Sequence, residues 1–389
     1  MKPCLILRLN LLTLVLGGLV DVAFAGVIAP PGEEVARLGL DAQYEKYLSV
    51  GGFPIVASAK VEDEALLEAG YLIEKMIGHR PDILKALRNN KVRLSIMATD
   101  ELTTDIPEHA TLKPKVYWDK RARGLGASEE RPSVSVGEEN LLALEGDPYG
   151  TESIMIHEFA HAIHLMGVNS IDDSFQGRLE KTFNRASLKG LWKSKYAGTN
   201  PAEYWAEGVQ SWFDTNREND FEHNHVNTRE ELRAHDPALA ALVESIFGDA
   251  EWRYVNPRGR RDAGHLATLN RKTAPVFAWP PDLVAAYDAL QSGEDRKSLE
   301  LSVGEVPEGR VSGKGDLEVR LRFDNQSMET VRIFWVDFSG ERKPYGFVDP
   351  GRNHDQSTFS NHLWVLVGES GEDLGWVAAA GEDGRVIVK

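Results

Sequence analysis

The sequence predicts two folded regions, an α+β domain over residues 26–290 and a small all-β sandwich over residues 313–389. In the first region, strand patterns come before a central apolar helix and helical patterns come after it. In the second region, apolar and charged residues alternate with a period of two, which is typical of half-buried strands. Between them, residues 291–312 are rich in charged residues and glycine, and we predict a linker there.

Residues 1–25 have the features of a signal peptide rather than of a folded element. Lys2 and Arg8 give a positive start, residues 9–20 are mostly apolar, and a small-x-small sequence ends at Ala25. The apolar run of roughly 12 residues is too short to span a bilayer comfortably. We therefore expect cleavage after Ala25 and a secreted or periplasmic protein without a membrane span.

The cysteine content and the net charge limit which bonds, metal ligands and partners the protein can have. Cys4 is the only cysteine and lies within the predicted signal, so the mature chain has no disulfide and no thiolate metal ligand. The chain carries 44 basic and 60 acidic residues, a formal net charge of −16. This balance disfavours nucleic acid and anionic membranes as partners, and solubility is its simplest role.

Several elements are predicted before the central helix. Residues 61–77 place Leu66, Ile73 and Ile77 on one helical face, and Gly78 follows as a stop signal. The predicted elements are an amphipathic segment at 35–48, a Gly-Gly loop after it, helices at 61–77 and 82–89, and strands at 92–96, 116–118 and 133–136.

The central helix carries His157-Glu158-Phe-Ala-His161 within an apolar run. Residues 151–166 contain no Pro or Gly, so a helix of about four turns is expected. Histidines at i and i+4 project side by side and can bind one metal ion. Glu158 lies about 100° round the helix, where it can reach a metal-bound water. The alternative is a pair of structural core histidines.

A catalytic zinc site needs a third protein ligand. Asn200 and Pro201 are suited to begin a helix, and on that helix Glu203 and Glu207 share one face. Two carboxylates at i and i+4 repel each other unless a cation lies before them. We predict that Glu203 binds the metal and that Glu207 accepts a hydrogen bond from a ligating histidine. A solvated helix face is the alternative, and His223 lies in a polar stretch predicted as a loop.

These residues resemble the zincin metallopeptidases of the gluzincin type, in which two His and a downstream Glu bind Zn²⁺. The sequence Ala-Glu-Tyr-Trp-Ala-Glu at 202–207 is most similar to the catalytic domain of anthrax lethal factor and its relatives. The resemblance covers about residues 115–215. It implies a zincin-like α+β fold, Glu158 as general base, and Tyr196, seven residues before Glu203, as a donor to the oxyanion. It implies hydrolysis of peptide bonds.

Further helices and then strands are predicted after this site. Helices are expected at 230–247 and 281–290, and Gly- or Pro-containing turns separate the strands of the sandwich. The predicted strands are at 317–323, 331–338, 363–367, 376–379 and 385–388.

Residues 333–364 closely resemble the β domain of the von Hippel–Lindau protein. In that family the β domain binds a hydroxyproline-containing peptide. The residues of the family's peptide pocket correspond to Trp335, Tyr345, Thr358, His362 and Trp364 in this sequence. Thr358 stands where the family has a serine. Flat aromatic walls suit a pyrrolidine ring, and His and Thr can hydrogen-bond its hydroxyl. The alternative is that these aromatics only form sandwich core.

The family's α domain has no counterpart before the chain ends at Lys389, so we expect a recognition module without it. The expected function is an exported zinc metalloendopeptidase whose β module presents proline- or hydroxyproline-rich protein chains. The alternative is a non-catalytic peptide-binding protein with a decayed zincin domain. Hydrolysis of a non-peptide amide also remains open from the motif.

Overall fold

A five-stranded mixed sheet forms the centre of the N-terminal region in the computed structural model, which describes residues 26–261, 264–292, 297–315 and 317–389. The predicted signal peptide lies outside these residues. The strand order is β1-β2-β3-β5-β4, with β2, β3 and β5 parallel and both outer strands antiparallel to their neighbours. The strands are β1 Lys46–Val50, β2 Phe53–Ala57, β3 Arg93–Met97, β4 Gly124–Leu125 and β5 Ser133–Gly137.

The predicted Gly-Gly loop is the turn of a β-hairpin between β1 and β2. Val50 pairs with Phe53, so Gly51 and Gly52 form a two-residue connection. Their φ angles are 55° and 88°. Two successive positive φ angles are the geometry of a tight hairpin turn, and glycine adopts them at little cost. The first of these strands was predicted only as an amphipathic segment.

In the described ranges, five α-helices come before the helix that carries the two histidines, and five come after it. The first five are α1 Gly32–Leu38, α2 Asp63–Ile77, α3 Pro81–Asn89, α4 Lys115–Arg121 and α5 Glu138–Leu141. The histidine helix is α6 Ile154–Ala162. The later helices are α7 Phe175–Leu188, α8 Pro201–Trp212, α9 Arg229–His235, α10 Pro237–Phe247 and α11 Pro281–Ser292.

One hydrophobic core joins the sheet to the helices around it. Side chains of α2 and α3 pack on β1 and β2, and those of α6, α8 and α10 continue the same core. The predicted helix at 61–77 and the strands at 92–96 and 133–136 are confirmed within two residues at each end. The strand predicted at 116–118 is wrong, because these residues lie in α4.

The C-terminal region is all β, as predicted. Its two sheets have the orders β10-β9-β12-β13-β7 and β11-β8-β14-β6, and the apolar faces between them form a second core. The strands are β6 Lys297–Leu299, β7 Ser302–Val303, β8 Glu318–Asn325, β9 Val331–Val336, β10 Arg342–Val348, β11 Asn353–Phe359, β12 Leu363–Val367, β13 Asp373–Ala378 and β14 Gly384–Val388.

The predicted linker at 291–312 is partly wrong. β6 pairs with β14 and β7 pairs with β13, so the sandwich begins before residue 300. The Ser312 hydroxyl accepts a hydrogen bond from the Leu363 N–H at 2.8 Å and also contacts the Val336 carbonyl.

The two regions contact each other through α4, α11 and the loop before α8. The guanidinium of Arg320 on β8 lies 4.5 Å from the ring centre of Tyr117 on α4. A Cβ added at Gly346 of β10 would lie 3.4 Å from Thr199 Cγ2, so the backbone approaches closely there. Within the part of the chain that the structure describes, no helix is long and apolar enough to cross a membrane.

Candidate metal centre

Helix α6 presents two imidazoles on one face and buries the other. The Asn140 side chain accepts a hydrogen bond from the Ile154 N–H at 2.9 Å and so fixes the beginning of the helix. Phe159 packs on Phe53 of β2, with ring centres 5.3 Å apart. His157 and His161 therefore project away from the sheet, towards α8. The helix begins later than predicted and continues as a π-helix at Ile163–Gly167.

Helix α8 begins at Asn200 and Pro201, as predicted, and carries the Glu203 carboxylate. The Asn200 side chain accepts hydrogen bonds from the N–H groups of Ala202 and Glu203 at 2.9 and 3.0 Å. This cap satisfies two donors that a helix leaves unpaired in its first turn. The buried indole N–H of Trp205 donates to the Ala160 carbonyl at 2.9 Å. α8 is therefore fixed against α6 with Glu203 beside the histidines.

The three predicted ligand atoms form a nearly equilateral triangle. His157 Nε2 lies 3.2 Å from His161 Nε2 and 3.2 Å from Glu203 Oε2, and His161 Nε2 lies 3.3 Å from Glu203 Oε2. Zinc–ligand bonds of 2.0–2.1 Å in a tetrahedron place neighbouring ligand atoms about 3.3 Å apart. The donor set therefore fits zinc in both chemistry and spacing. Among the described residues, this is the one such cluster of potential ligands.

The charges around the triangle favour a cation. Burial raises the pKa of Glu203, but His161 and His157 oppose it and hold that pKa well below its usual range. Burial lowers the pKa of His157, but the Glu203, Glu158 and Glu207 carboxylates raise it to about 10. Several carboxylates therefore surround two imidazoles, and the negative charges of these carboxylates repel one another. A divalent ion placed among them relieves this repulsion.

The second nitrogen of His157 is oriented by Gln210 rather than by Glu207. Gln210 Oε1 lies 2.8 Å from His157 Nδ1, and Gln210 Nε2 donates to Glu152 Oε2 at 2.9 Å. These bonds fix the amide orientation and direct His157 Nε2, rather than Nδ1, towards the other two predicted ligand atoms. Glu207 Oε1 lies 3.6 Å from His157 Nδ1, outside hydrogen-bonding distance, so the role predicted for Glu207 is corrected.

Glu207 instead belongs to a buried polar group behind the centre. Its Oε2 accepts a hydrogen bond from Asn216 Nδ2 at 2.9 Å and lies 3.4 Å from His223 Nε2. His223 also contacts Asp220, with Nδ1 and Oδ1 2.8 Å apart. The loop predicted around His223 is confirmed, and it covers the far side of Glu207.

Glu158 lies between the histidines and the sheet edge at β4. A Cβ added at Gly124 would lie 3.1 Å from Glu158 Cγ, and one at Gly126 would lie 2.9 Å from His161 Cβ and 3.5 Å from Glu158 Oε2. Gly124 in β4 and Gly126 directly after it therefore let the backbone approach Glu158 and His161 closely. Motif reasoning did not find them, although their Gly-x-Gly spacing is visible in the sequence.

The structure brings Tyr196 to the same site. Its ring lies 6.2 Å from the His157 ring with an interplanar angle of 28°. Burial raises the pKa of its hydroxyl, and the nearby Glu203 carboxylate raises that pKa further. Tyr196 therefore keeps its proton near neutral pH and can act as a hydrogen-bond donor.

The five residues predicted as a peptide pocket lie together at one end of the sandwich. The rings of Trp335 and His362 are 5.0 Å apart, and those of Tyr345 and Trp364 are 5.1 Å apart. Thr358 Oγ1 accepts from Trp364 Nε1 at 3.1 Å and lies 3.1 Å from His362 Nδ1. Thr358 and Trp364 are buried, whereas the other three are partly exposed.

Two exposed aromatics extend this cluster, and sequence reasoning did not assign them to it. Phe338 and Phe359 are 50% and 44% exposed, and each ring lies 5.6 Å from the His362 ring. The indole nitrogen of Trp335 is buried without a hydrogen-bond partner in the described protein. The cluster therefore combines core side chains with partly exposed rings at the surface of the sandwich.

Comparison with known proteins identifies the C-terminal region. Residues 311–378 match the family model described as the VHL beta domain. The predicted von Hippel–Lindau-like β domain is confirmed over these residues, which include the whole aromatic cluster. A comparison of the chain with curated proteins finds no match.

Proposed function

We propose that the protein is a zinc metalloendopeptidase with a zincin-like catalytic domain and His157, His161 and Glu203 as the metal ligands. The observation that supports this most strongly is the triangle of two imidazole nitrogens and one carboxylate oxygen with edges of 3.2–3.3 Å. Three protein ligands are the number that catalytic zinc sites use, since a fourth position remains for water or substrate.

When bound, zinc supplies a Lewis acid and lowers the pKa of its water. The chain's own groups then move the protons. The Glu158 carboxylate accepts a proton from the attacking water and passes it to the leaving amine. The Tyr196 hydroxyl donates a hydrogen bond to the carbonyl oxygen as negative charge develops there. The peptide carbon gains an oxygen from water, and its bond to nitrogen breaks.

The edge of the sheet offers a place for the substrate backbone. β4 is the outer strand beside β5; Gly124 in this strand and Gly126 directly after it lie close to Glu158 and His161. An extended peptide can add to an exposed sheet edge by main-chain hydrogen bonds. Binding along β4 would bring a peptide bond to the candidate centre in a fixed orientation.

The deciding experiment separates metal binding from catalysis. We expect one zinc per chain by elemental analysis and cleavage of casein or gelatin by the wild type. Glu158→Gln should keep its zinc and lose at least about 100-fold in rate, because it removes the proton acceptor. Glu230→Gln, an exposed change on α9, is the matched control. A Glu158→Gln protein with zinc and wild-type cleavage would refute the mechanism.

The non-catalytic alternative predicts a different outcome. If the α+β domain has lost activity, the wild type will cleave neither casein nor gelatin even with zinc bound. The β module would then be the functional part.

We propose that the aromatic cluster of the β domain binds proline- or hydroxyproline-rich peptides. The partly exposed rings of Trp335 and Tyr345 suit a pyrrolidine ring, and Thr358 and His362 can hydrogen-bond a ring hydroxyl. The wild type should bind a hydroxyproline peptide more tightly than its proline counterpart, measured by fluorescence anisotropy. Thr358→Val should reduce this preference. The proposal would be refuted if the wild type and Trp335→Ala each bound the hydroxyproline peptide and the proline peptide with the same affinity.

We also propose that the protein is exported, on the basis of the leader-like residues 1–25. Protein expressed from the full sequence should be recovered outside the cytoplasm with Gly26 as its first residue. N-terminal sequencing checks this, and a cytoplasmic protein that retains residues 1–25 would contradict it.

A further inference from the structure

A cavity of about 430 Å³ lies between the α+β region and the sandwich, directly beside the candidate metal centre. Tyr196 forms part of its wall, and the same ring stacks on His157. Arg121, at the end of α4, lines one side. Phe347 and Arg352, at the end of β10 and in the turn after it, line the other side. The β domain therefore contributes one wall of a cleft whose other wall includes Tyr196, the residue that stacks on His157.

The cationic groups of this cleft are unpaired, whereas its acidic groups are engaged. In the part of the chain that the structure describes, the exposed Arg121 guanidinium has no hydrogen-bond or ion-pair partner. Among the described residues, the Arg352 guanidinium has one contact, a cation–π contact 5.0 Å from the Phe221 ring centre.

The acidic residues of the lining already have partners. Glu222 pairs with Arg217 at 2.5 Å, and Asp349 accepts from the Thr330 hydroxyl at 2.8 Å. Asp355 lies 4.0 Å from Arg322. The unmatched charge in the cleft is therefore positive, in a chain whose formal net charge is −16.

Arg121 lies near the predicted catalytic groups. It lines the same cavity as Tyr196, whose ring stacks on His157. Its position in the last turn of α4 is favourable for a cation, but that interaction leaves the guanidinium donors free. Arg121 is thus a fixed charge, close to the centre, with its hydrogen-bonding capacity unused.

We infer that this cleft is an anionic subsite in which Arg121 binds a carboxylate of the substrate next to the scissile bond. A guanidinium offers two parallel donors to a carboxylate, and Arg352 adds positive charge from the facing wall. Tyr117 and Tyr287, whose rings stack 6.2 Å apart, supply an apolar surface for the methylene groups of an acidic residue. The inference rests on the proposed peptidase function and names the substrate class of the same site.

Matched peptides test this subsite. A fluorogenic peptide is made with Glu, Gln or Lys at each position flanking the cleaved bond, and with a free or amidated C-terminus. We expect the wild type to prefer Glu over Gln by about tenfold or more in kcat/KM at one position, since a bond to a charged group contributes that much. If the preference disappears when the C-terminus of the peptide is amidated, the subsite binds the terminal carboxylate of the substrate.

Variants at Arg121 identify the residue responsible. Arg121→Met should abolish the Glu-to-Gln ratio, Arg121→Lys should restore part of it, and Arg121→Glu should reverse the preference towards Lys. The matched control is Arg185→Met, an exposed change on α7 outside the cleft, which should keep the wild-type ratio. A wild-type ratio near one at every position, or an unchanged ratio in Arg121→Met, would overturn the inference.

Binding measurements separate this test from the test of the peptidase. Labelled Glu and Gln peptides are titrated into zinc-loaded Glu158→Gln protein and followed by fluorescence anisotropy. Tighter binding of the Glu peptide that disappears in the Arg121→Met, Glu158→Gln double variant supports the subsite even if no cleavage is found. Equal binding of both peptides by both proteins overturns it even if cleavage is found.

Discussion

At the residue scale, the candidate centre depends on side chains that face each other across two helices. Glu203 and Gln210 are seven residues apart on α8, which places them on one face two turns apart. Glu203 lies at His157 Nε2 and Gln210 at His157 Nδ1, so one helix face contacts both ring nitrogens. This arrangement fixes which nitrogen is free to bind a metal.

Replacing Gln210 tests this orientation. Gln210→Ala should weaken zinc binding about 10- to 100-fold, which is the usual cost of losing a partner that orients a metal ligand. Glu207→Gln should cost less, because Glu207 Oε1 is 3.6 Å from the same nitrogen. Competition with a chromogenic zinc chelator measures both affinities. A larger loss in Glu207→Gln than in Gln210→Ala would restore the role first predicted for Glu207.

His109 gives a prediction about pH. It is buried, with Nε2 3.1 Å from the Ser135 hydroxyl, and burial lowers its pKa to about 4. The unfolded chain therefore binds this proton more readily than the folded chain. The stability that neutral His109 provides is complete above about pH 6.5 and falls as the pH drops towards 4.

The measurement compares wild type with His109→Gln by urea unfolding at pH 7.5 and pH 5. The free energy of unfolding of the wild type should fall by about 2 kcal/mol more than that of the variant between these values. Equal falls in both proteins would mean that His109 titrates normally in the folded state.

The residues of the centre were largely predictable, and the reason is their spacing. His157, His161 and Glu203 follow from helical periodicity and from the number of ligands that zinc requires. Gln210 was missed because an amide has no metal-ligand signature. Arg121 was missed because only the position of the second domain shows that its charge borders a cleft.

At the element scale, the close approach of β4 to α6 sets the space around Glu158. Gly126→Ala should impair both zinc binding and turnover, because the added Cβ would lie 2.9 Å from His161 Cβ. Gly177→Ala is the matched control, since its Cβ meets nothing within 4 Å and alanine favours a helix by about 0.5–1 kcal/mol. Zinc titration and peptide cleavage report on both. Wild-type zinc affinity and turnover in Gly126→Ala would show that the strand has room to move.

Elements with long periodic patterns were predicted well, and short ones were not. α2 has a sustained apolar face and was found within two residues. Residues 116–118 have β-prone side chains, but Pro114 begins a helix there and Tyr117 packs against Tyr287 of α11. β6 and β7 have only three and two residues, too few for a period to be visible, so the sequence predicts a linker where they lie.

At the scale of the whole molecule, the β domain both borders the centre and carries the aromatic cluster. His354 and Thr358 are four residues apart on β11, about 13 Å at the rise of a strand. His354 lines the cleft beside the centre, and Thr358 belongs to the aromatic cluster. One extended chain could therefore contact both.

This arrangement predicts an effect of substrate length. In Trp335→Ala, KM should rise for a long substrate that has a proline-rich segment beside the cleaved bond, because one of two linked contacts is lost. For a short peptide that reaches only the centre, KM should not change. Trp376→Ala, an aromatic on the opposite face of the same sheet, is the control. Equal rises in KM for long and short substrates would contradict a linked binding path.

The central claim is that two imidazoles and the Glu203 carboxylate hold one zinc ion with a position left for solvent. A crystal structure of zinc-loaded protein, with anomalous data at the zinc edge, tests it most directly. The account predicts one strong peak per chain, about 2.0–2.2 Å from His157 Nε2, His161 Nε2 and a Glu203 oxygen. Absence of a peak there, or a peak beside Glu207 and His223 instead, would contradict it.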